Sequence, residues 1–431
     1  MKLCMIGTGY VGLVSGACFS DLGNSVICLD IDKNKINQLK QGIIPIYEPG
    51  LEEIVKKNIK NKRLSFSIDF DKSIKNSDII FICVGTPKKN NGNADLTQVY
   101  NVAKKLRKLI NKYKIIVTKS TVPVTTGDKI QTILSKNNRT NKYSVVSNPE
   151  FLREGEAIRD FIYPDRIVIG SNDMKANRIM NNLYAPLISK GAQYLHTSRR
   201  AAELIKYSSN AFLATKITFI NEMANLCEKI GINIEDISIG MGLDKRIGGR
   251  FLRAGPGYGG SCFPKDTKAI ISTANSFKTN LSLVKSVVKS NDNRSKLLLL
   301  RVYQILNNRI KNKNITFLGV TFKANTDDMR DSSSIKMIPA LSKKGANIKY
   351  FDPTGFKNEF SKIKNVKYCN SIKKALDKAD LVIIHTEWND FKSINFKNFA
   401  KIKKFIIYDM RNIYSPLKIK KQGFKYFSVG R

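Results

Sequence analysis

Residues 255–266 read GPGYGGSCFPKD, a stretch that sets one thiol, Cys262, in the most glycine-rich turn of the chain with Lys265 and Asp266 close behind it. A free thiol with a pKa of about 8.5 is only a few per cent ionised at neutral pH, yet it is strongly nucleophilic, and a neighbouring cation makes the thiolate more available. Lys265, or Lys206 from a helical stretch upstream, can be that cation. Glycines at 255, 257, 259 and 260 let backbone approach a ligand closely and leave space around sulfur, whereas a structural cysteine more commonly sits among apolar side chains. Composition alone leaves both a nucleophile and a buried core cysteine open. The chain has 2 histidines, His196 and His385. A Ser-His-Asp triad or a two-histidine metal site therefore lacks raw material, no metal is expected, and proton transfer falls to carboxylates, lysines and water.

A second chemical element opens the chain. Lys2–Ile6 reads as a short apolar strand, GTGYVG follows with Gly7, Gly9 and Gly12, a helical run ends near DLGN, and a second strand, SVICLD, closes on Asp30. This is the context a dinucleotide-binding turn requires: Gly7 makes the turn, Gly9 admits a pyrophosphate, Gly12 lets helix and sheet pack closely, and Asp30 accepts from an adenosine ribose, favouring NAD over NADP. A nicotinamide site joined to a cysteine nucleophile narrows the reaction. A thiolate attacks an aldehyde, the thiohemiacetal loses hydride to give a thioester, and water releases a carboxylate. A simple alcohol dehydrogenase needs no such cysteine, but an enzyme taking a primary alcohol to an acid uses one nicotinamide site twice.

The elements that must position these residues alternate strand with helix. SDIIFICVGTP (77–87), KIIVTKSTVP (114–123), YSVVSNPEF (143–151) and DRIVIG (165–170) read as strands, three of them ending in loops that carry Thr86, Thr121 and Glu150. In an open parallel sheet the ligand lies beyond the carboxyl ends of the strands. From about 198 to 230 apolar residues recur at helical spacing with no proline or internal glycine, which predicts one long helix ended by Gly231, a spine between domains or a dimer surface. Lys206 and Asn210 share one face of it, as reactive groups or as a solvated stripe. Beyond residue 310 the alternation resumes with NITFLGVTF, NIKYFDP, ADLVIIHTEW, KFIIYDMR and FKYFSVG. The expected fold class is α/β: two Rossmann-like doubly wound parallel-sheet domains, 1–196 and 301–431, joined by a long helix and a helical central dimerisation domain, 197–300. Such an arrangement creates a cleft between domains.

Size and composition agree. At 431 residues the chain exceeds one ordinary core, and 42% hydrophobic with 25% charged residues is usual for a globular enzyme. No apolar run approaches the roughly 18 to 20 residues of a membrane span, and the signal-like start is better explained by its glycines. The formal charge of +39 would suggest nucleic acid, but lysines are scattered among asparagines in every segment, as in KKNNGN and NNRIKNKN, so no nucleic-acid or membrane partner is expected. The 7 cysteines lie far apart without a C-x-x-C pair, a reducing-compartment pattern that points to the cytoplasm.

The chain resembles the UDP-glucose/GDP-mannose dehydrogenase family from end to end. GTGYVG, STVPVTTG, NPEFLREGEAIRDF, AAELIKYSSNAFLATKITFINE, GPGYGGSCFPKD and GVTFKANTDDMRDSSS occur in the family's order. The resemblance implies an NAD-binding domain, a helical middle forming a homodimer and a nucleotide-sugar domain. It also implies oxidation of UDP-glucose to UDP-glucuronate with two NAD+ reduced; sister activities act on UDP-N-acetylmannosamine, UDP-N-acetylglucosamine or GDP-mannose. A catalytically silent sensor on this fold would be expected to lack the thiol, the helix lysine or the carboxylates, and all are present.

Residue by residue, the resemblance makes Cys262 the nucleophile, with Lys206 and Asn210 stabilising charge on the reacting C6 oxygen and Asp266 holding a water. Such oriented donors are worth about 3 to 4 kcal/mol each. Glu154 would act with water in thioester hydrolysis, Thr121 would position that water, and Glu150 would support them. Gly7, Gly9, Tyr10, Val11 and Gly12 would cradle NAD, Asp30 and Lys35 would meet its ribose, Thr86 and Thr121 would flank the nicotinamide end, Arg330 would meet the pyrophosphate, and Glu154 and Lys265 would add contacts. For the sugar nucleotide the matching positions are Glu150, the backbone of Phe151, Leu152 and Arg153, Lys206, Asn210, Phe251, the 255–260 loop with Tyr258 and Gly259, Lys323 and Arg411. Arg246 matches a residue supplied across the dimer interface.

Overall fold

The computed structural model describes residues 1–89, 92–136, 142–399 and 405–431. Asn90, Asn91 and Lys404, from segments quoted above, lie outside them. The chain forms two compact units, one of Met1–Ser209 with Lys268–Thr279 and the other of Asn210–Thr267 with Asn280–Arg431.

The first unit is built on strands β1 (Lys2–Ile6), β2 (Ser25–Leu29), β3 (Leu64–Ser67), β4 (Ile79–Ile82), β5 (Lys114–Thr118), β6 (Tyr143–Ser147), β7 (Arg166–Gly170) and β8 (Gln193–Thr197), in the order β3-β2-β1-β4-β5-β6-β7-β8. Its strands are continuous apolar runs because both faces are covered. Leu3, Met5, Ile79, Phe81, Ile115 and Val117 face one core, while Cys4, Ile6, Ile80, Ile82 and Ile116 face the other. The order reverses between β1 and β4, and this switch point is where a doubly wound sheet receives its ligand. The first six strands are parallel; β7 meets β6 antiparallel at Ser147 and Gly170, and β8 runs parallel to β7. Neither β3 nor β8 was anticipated: β3 is four residues of LSFS, and β8 is a largely exposed edge.

The second unit repeats the plan with β9 (Asn314–Leu318), β10 (Asn347–Phe351), β11 (Val366–Tyr368), β12 (Leu381–Ile384), β13 (Ile406–Asp409) and β14 (Tyr426–Ser428) in the order β11-β10-β9-β12-β13-β14. Every pairing in this sheet is parallel. Two Rossmann-like α/β sheets are therefore present.

The long helix is Arg199–Ile230, of 32 residues. It ends as expected: Gly231 takes a φ of 74°, and the Ile232 amide returns to the Cys227 carbonyl at 3.0 Å, satisfying an orphan carbonyl of the last turn. Its second half, through Ile220, Ala224 and Cys227, packs with Leu298, Val302 and Ile305 of the helix Ser282–Ile305 and with Ile315 and Phe317 of β9 in one core.

Candidate active site

In the first unit the turn after β1 has the form the sequence predicts. A Cβ on Gly12 would stand 1.9 Å from the Gly7 carbonyl oxygen, so only glycine lets the helix Tyr10–Asp21 start this close to the turn. The amides of Tyr10, Val11 and Gly12 precede the first intrahelical bond, from Leu13 N–H to the Gly9 carbonyl at 2.9 Å, and a Cβ on Gly9 would enter open space. Orphan amides at a helix start beside unfilled space suit a pyrophosphate, so these residues fit a dinucleotide. Asp30 accepts from the Thr8 amide at 2.8 Å and the Thr8 hydroxyl at 2.6 Å, and lies 3.3 Å from Lys35 Nζ. Burial raises the Asp30 pKa, but the Thr8 donors, the Asp32 amide and Lys35 outweigh it and hold the carboxyl below the usual range. Thr8 was not anticipated; lying inside the turn, it carries no spacing signal of its own.

Beyond β4, β5 and β6 the loop residues meet. The Thr86 hydroxyl donates to the Thr121 carbonyl at 3.0 Å, tying two positions expected near the nicotinamide. Glu150 is buried, accepts from the Leu152 amide at 2.6 Å, and pairs with Lys206 Nζ at 3.2 Å. Lys206 and Asn210 are both buried, so the solvated-stripe alternative fails. Phe151 lies under two cations, with the Arg166 guanidinium 3.9 Å and Lys206 Nζ 5.3 Å from its ring centre. Two further buried ionisable groups escaped the sequence reading. Lys119 bonds Asn148 Oδ1 at 3.1 Å and the Tyr184 hydroxyl at 3.2 Å, and burial pulls its ammonium down to about 8 against the attraction of Cys83 and Glu150. Glu203, one helical turn before Lys206, takes the amides of Thr125 and Gly127, each at 2.8 Å; burial pushes its carboxyl up to about 7 despite them.

In the second unit Cys262 stands at the start of the helix Phe263–Ser276, its carbonyl accepting from the Asp266 amide at 2.8 Å. It is half-buried, while the other six cysteines are buried and all seven are free. For Cys18 and Cys83 burial pushes the thiol up to about 12. Asp266, one turn on, is fully buried and held on both oxygens, by Asn210 Nδ2 at 2.6 Å and Lys265 Nζ at 2.7 Å. Lys265 therefore directs its charge to Asp266.

The glycines of the 255–260 loop act differently from the expectation that they leave room around sulfur. Gly260 has a φ of 79°, and a Cβ there would stand 2.6 Å from the Phe322 ring; one on Gly259 would meet the Asp331 carbonyl at 2.6 Å. The close approach is made by the protein itself. Three residues absent from the sequence reading hold this loop: Asn221 accepts from the Gly255 amide at 2.8 Å, Arg294 donates to the Gly255 carbonyl at 3.0 Å, and Asn291 brackets Tyr258 by accepting from its amide at 2.9 Å and donating to its carbonyl at 3.1 Å. Phe251 adopts a φ of 67°, rare for a bulky residue, with its ring 6.2 Å from that of Phe263.

The remaining candidates occupy separate places in the second unit. Arg330 forks onto Asp328 at 2.8 and 2.9 Å, Arg246 pairs with Asp244 in an exposed turn, and Lys323 lies 5.7 Å from the Phe322 ring centre. Arg411 donates to the His385 carbonyl at 2.9 Å and to the Phe322 carbonyl. His385 is buried, and burial with the nearby Arg411 pulls its imidazole down to about 3, so it stays neutral. In the first unit, by contrast, His196 bonds the Ser171 carbonyl at 3.0 Å.

A glycine turn closed by an acidic strand end, on a sheet of this order, defines a Rossmann-type dinucleotide-binding protein. Residues 1–188 match the NAD binding domain of the UDP-glucose/GDP-mannose dehydrogenase family, 200–293 its central domain and 316–416 its UDP binding domain. The chain belongs to this family of NAD-dependent dehydrogenases. It is 47% identical to a UDP-glucose 6-dehydrogenase of Rhizobium meliloti over 435 residues, covering 100% of both chains. A Rickettsia felis protein of the same name is 46% identical, over 100% of this chain and 96% of the relative. Among solved structures, a UDP-glucose dehydrogenase from Pyrobaculum islandicum superposes with a TM-score of 0.91 at 34% identity, over 100% of this chain and 97% of that one. A UDP-D-ManNAc dehydrogenase from Pyrococcus horikoshii gives 0.86 at 25% identity, over 100% and 99%. Among the described residues no helix is long and apolar enough to cross a membrane.

Proposed function

We propose that the chain oxidises UDP-glucose at C6 to UDP-glucuronate, reducing two NAD+ per sugar through a covalent intermediate on Cys262. Bound NAD+ supplies the hydride acceptor, held at Gly7 to Gly12 and Asp30. Lys206 and Asn210 stabilise negative charge on the C6 oxygen while a water at Asp266 takes the hydroxyl proton. The first hydride leaves C6 to give the aldehyde, Cys262 Sγ adds to the aldehyde carbon, and loss of a second hydride together with the hydroxyl proton of the thiohemiacetal leaves a thioester. Water adds to the acyl carbon, giving a proton to Glu154; the C–S bond breaks, the pair returns to sulfur, and the carboxylate leaves.

The observation that carries this reading is the Asp266 cluster. A fully buried carboxylate gripped on both oxygens by an amide and an ammonium, one turn after a half-exposed thiol at a helix start, is a preorganised charged site that a silent sensor has no need to maintain. The partial positive charge of the helix N-terminus favours an anion on Sγ. UDP-glucose is favoured over the N-acetylated sugars because the relatives at 46 to 47% identity carry its name, whereas the UDP-D-ManNAc enzyme stands at 25%.

Residues 301–431 serve as the nucleotide-sugar domain in this reading, and 197–300 as the dimerisation domain. Phe212, Phe219 and Leu226 recur every seven residues on the long helix and are 65%, 42% and 51% exposed, an apolar stripe fitted to a second copy. Seven free cysteines suit the reducing cytoplasm. The test is the yield of NADH per sugar with UDP-glucose, UDP-N-acetylglucosamine, UDP-N-acetylmannosamine and GDP-mannose offered separately. Two NADH from UDP-glucose alone is expected; two from another sugar would move the substrate, and none from any would refute the activity.

A further inference from the structure

The loop that leads to the thiol is fixed from a helix that carries none of the residues expected to react. On the helix Ser282–Ile305, Asn291 and Arg294 are three apart and therefore neighbours on one face. Asn291 accepts from the Tyr258 amide at 2.9 Å and donates to the Tyr258 carbonyl at 3.1 Å; a Cβ on Gly257 would stand 2.7 Å from its Oδ1, so glycine there admits it. Tyr258 in turn sets its ring edge-on against that of Phe263, 6.1 Å between centres, and Phe263 follows Cys262 and opens its helix. Arg294 is 5% exposed. Its Nε donates to the Gly255 carbonyl at 3.0 Å while the Gly255 amide donates to Asn221 Oδ1 at 2.8 Å, so both sides of that glycine are held. Its Nη1 reaches Asn225 Oδ1 at 2.6 Å and the Asn221 carbonyl at 3.5 Å. The oxygens that receive this buried guanidinium are neutral. A buried charge costs stability unless a counter-charge and hydrogen bonds offset it, and a well-packed apolar side chain in its place is often no less stable. Stability alone therefore gives poor reason for an arginine at 294.

We propose that Arg294, with Asn291, is a positioning residue for Cys262, and that the bond from its Nε to the Gly255 carbonyl sets where the sulfur stands when the aldehyde forms. The inference rests on the covalent role proposed above for Cys262. The first hydride transfer does not use sulfur. The next step does: the sulfur pair bonds the aldehyde carbon, the carbonyl pair moves to oxygen, and the thiol's proton ends on that oxygen. A misplacement of about 1 Å at such a step costs roughly 10²-fold. Glutamine carries its amide nitrogen as many bonds from Cα as arginine carries Nε, so Arg294→Gln keeps a donor for Gly255 and loses the charge and the Nη1 bonds. Arg294→Met fills the space and offers no donor.

Arg294→Met, Arg294→Gln and the reference Cys262→Ser are compared as full-length proteins by stopped flow at saturating NAD+ and UDP-glucose, with thermal unfolding to establish that each is folded. For Arg294→Met the first NADH per site is expected within about threefold of the wild-type rate, followed by a steady rate about 10²-fold lower. Arg294→Gln should restore the steady rate to within about threefold of wild type. A steady rate in Arg294→Met equal to wild type, an equal fall of both phases, or no recovery in Arg294→Gln overturns the proposal. If Arg294→Met does not fold, Asn291→Leu, which releases the Tyr258 backbone, is judged by the same two phases. If Cys262→Ser yields two NADH per sugar at the wild-type rate, the covalent reading falls and the role of Arg294 with it. If Cys262→Ser stops after the first NADH while Arg294→Met goes on at the wild-type rate, the Arg294 proposal alone falls.

Discussion

Lys206 Nζ and Glu150 Oε1 meet at 3.2 Å with side chains 4% and 5% exposed, so each neutralises a charge that water does not reach. Such a pair stabilises little over an apolar replacement, but removing one partner strands the other, at about 3 to 5 kcal/mol. Lys206→Met is expected to lower both stability and turnover, the latter by about 10² to 10³. Adding Glu150→Gln should recover most of the thermal midpoint and none of the rate. Thermal unfolding and steady-state kinetics on the single and double variants check this; recovery of rate with stability would make Lys206 a structural residue.

Cys262→Ser keeps a hydroxyl at the helix start but loses the thiolate. No glucuronate should form, while NAD+ affinity should stay within about twofold, because Cys262 is not among the residues proposed to hold the dinucleotide. Product analysis with calorimetric titration of NAD+ tests both halves, and undiminished glucuronate formation would refute the covalent route.

Glu203 makes stability depend on pH. Its folded pKa, pushed up to about 7, lies above the unfolded value, so between about 4.5 and 7 the native state binds more protons than the unfolded chain. Its contribution is therefore full below about pH 4.5 and is lost as pH rises through 7, by up to about 3 kcal/mol. Glu203→Gln cannot titrate. The difference between wild type and variant in urea unfolding should shift against wild type from pH 5 to pH 8; a constant difference would contradict it.

Phe212→Lys with Phe219→Lys places two charges on the exposed stripe of the long helix. If the stripe is a dimer seam, sedimentation should show a dimer for wild type and a monomer for the variant, because burying unpaired lysines opposes association. A variant that sediments as wild type does would locate the contact elsewhere.

Much of the architecture was legible because it follows local rules. A strand, a glycine turn and a helix closing on an acid predicted the dinucleotide site, and a 32-residue stretch without proline or internal glycine predicted the long helix. The missed strands are those with little local signal: four residues of LSFS, the exposed QYLHT and the three residues of β11. In the candidate site the reactive residue types were legible, but their partners were not. Lys265 read, alongside Lys206, as a candidate cation for sulfur, and its bond to Asp266 was not legible. The loop glycines read as room for a ligand, and they admit Phe322 and the Asp331 carbonyl.

By itself the sequence determined which chemistry is possible: a nicotinamide site, one thiol in a glycine turn, and carboxylates and lysines in place of histidine. Side-chain type and period are properties of a residue and its near neighbours, so they survive in one dimension. Only the tertiary structure decided which cysteine is half-exposed, that Lys206 takes Glu150 as its counter-ion, and that Arg294 holds the Gly255 carbonyl in the loop before Cys262. Those facts depend on which buried polar groups satisfy one another once the sheets close, and the choice of partner is made by burial rather than by spacing.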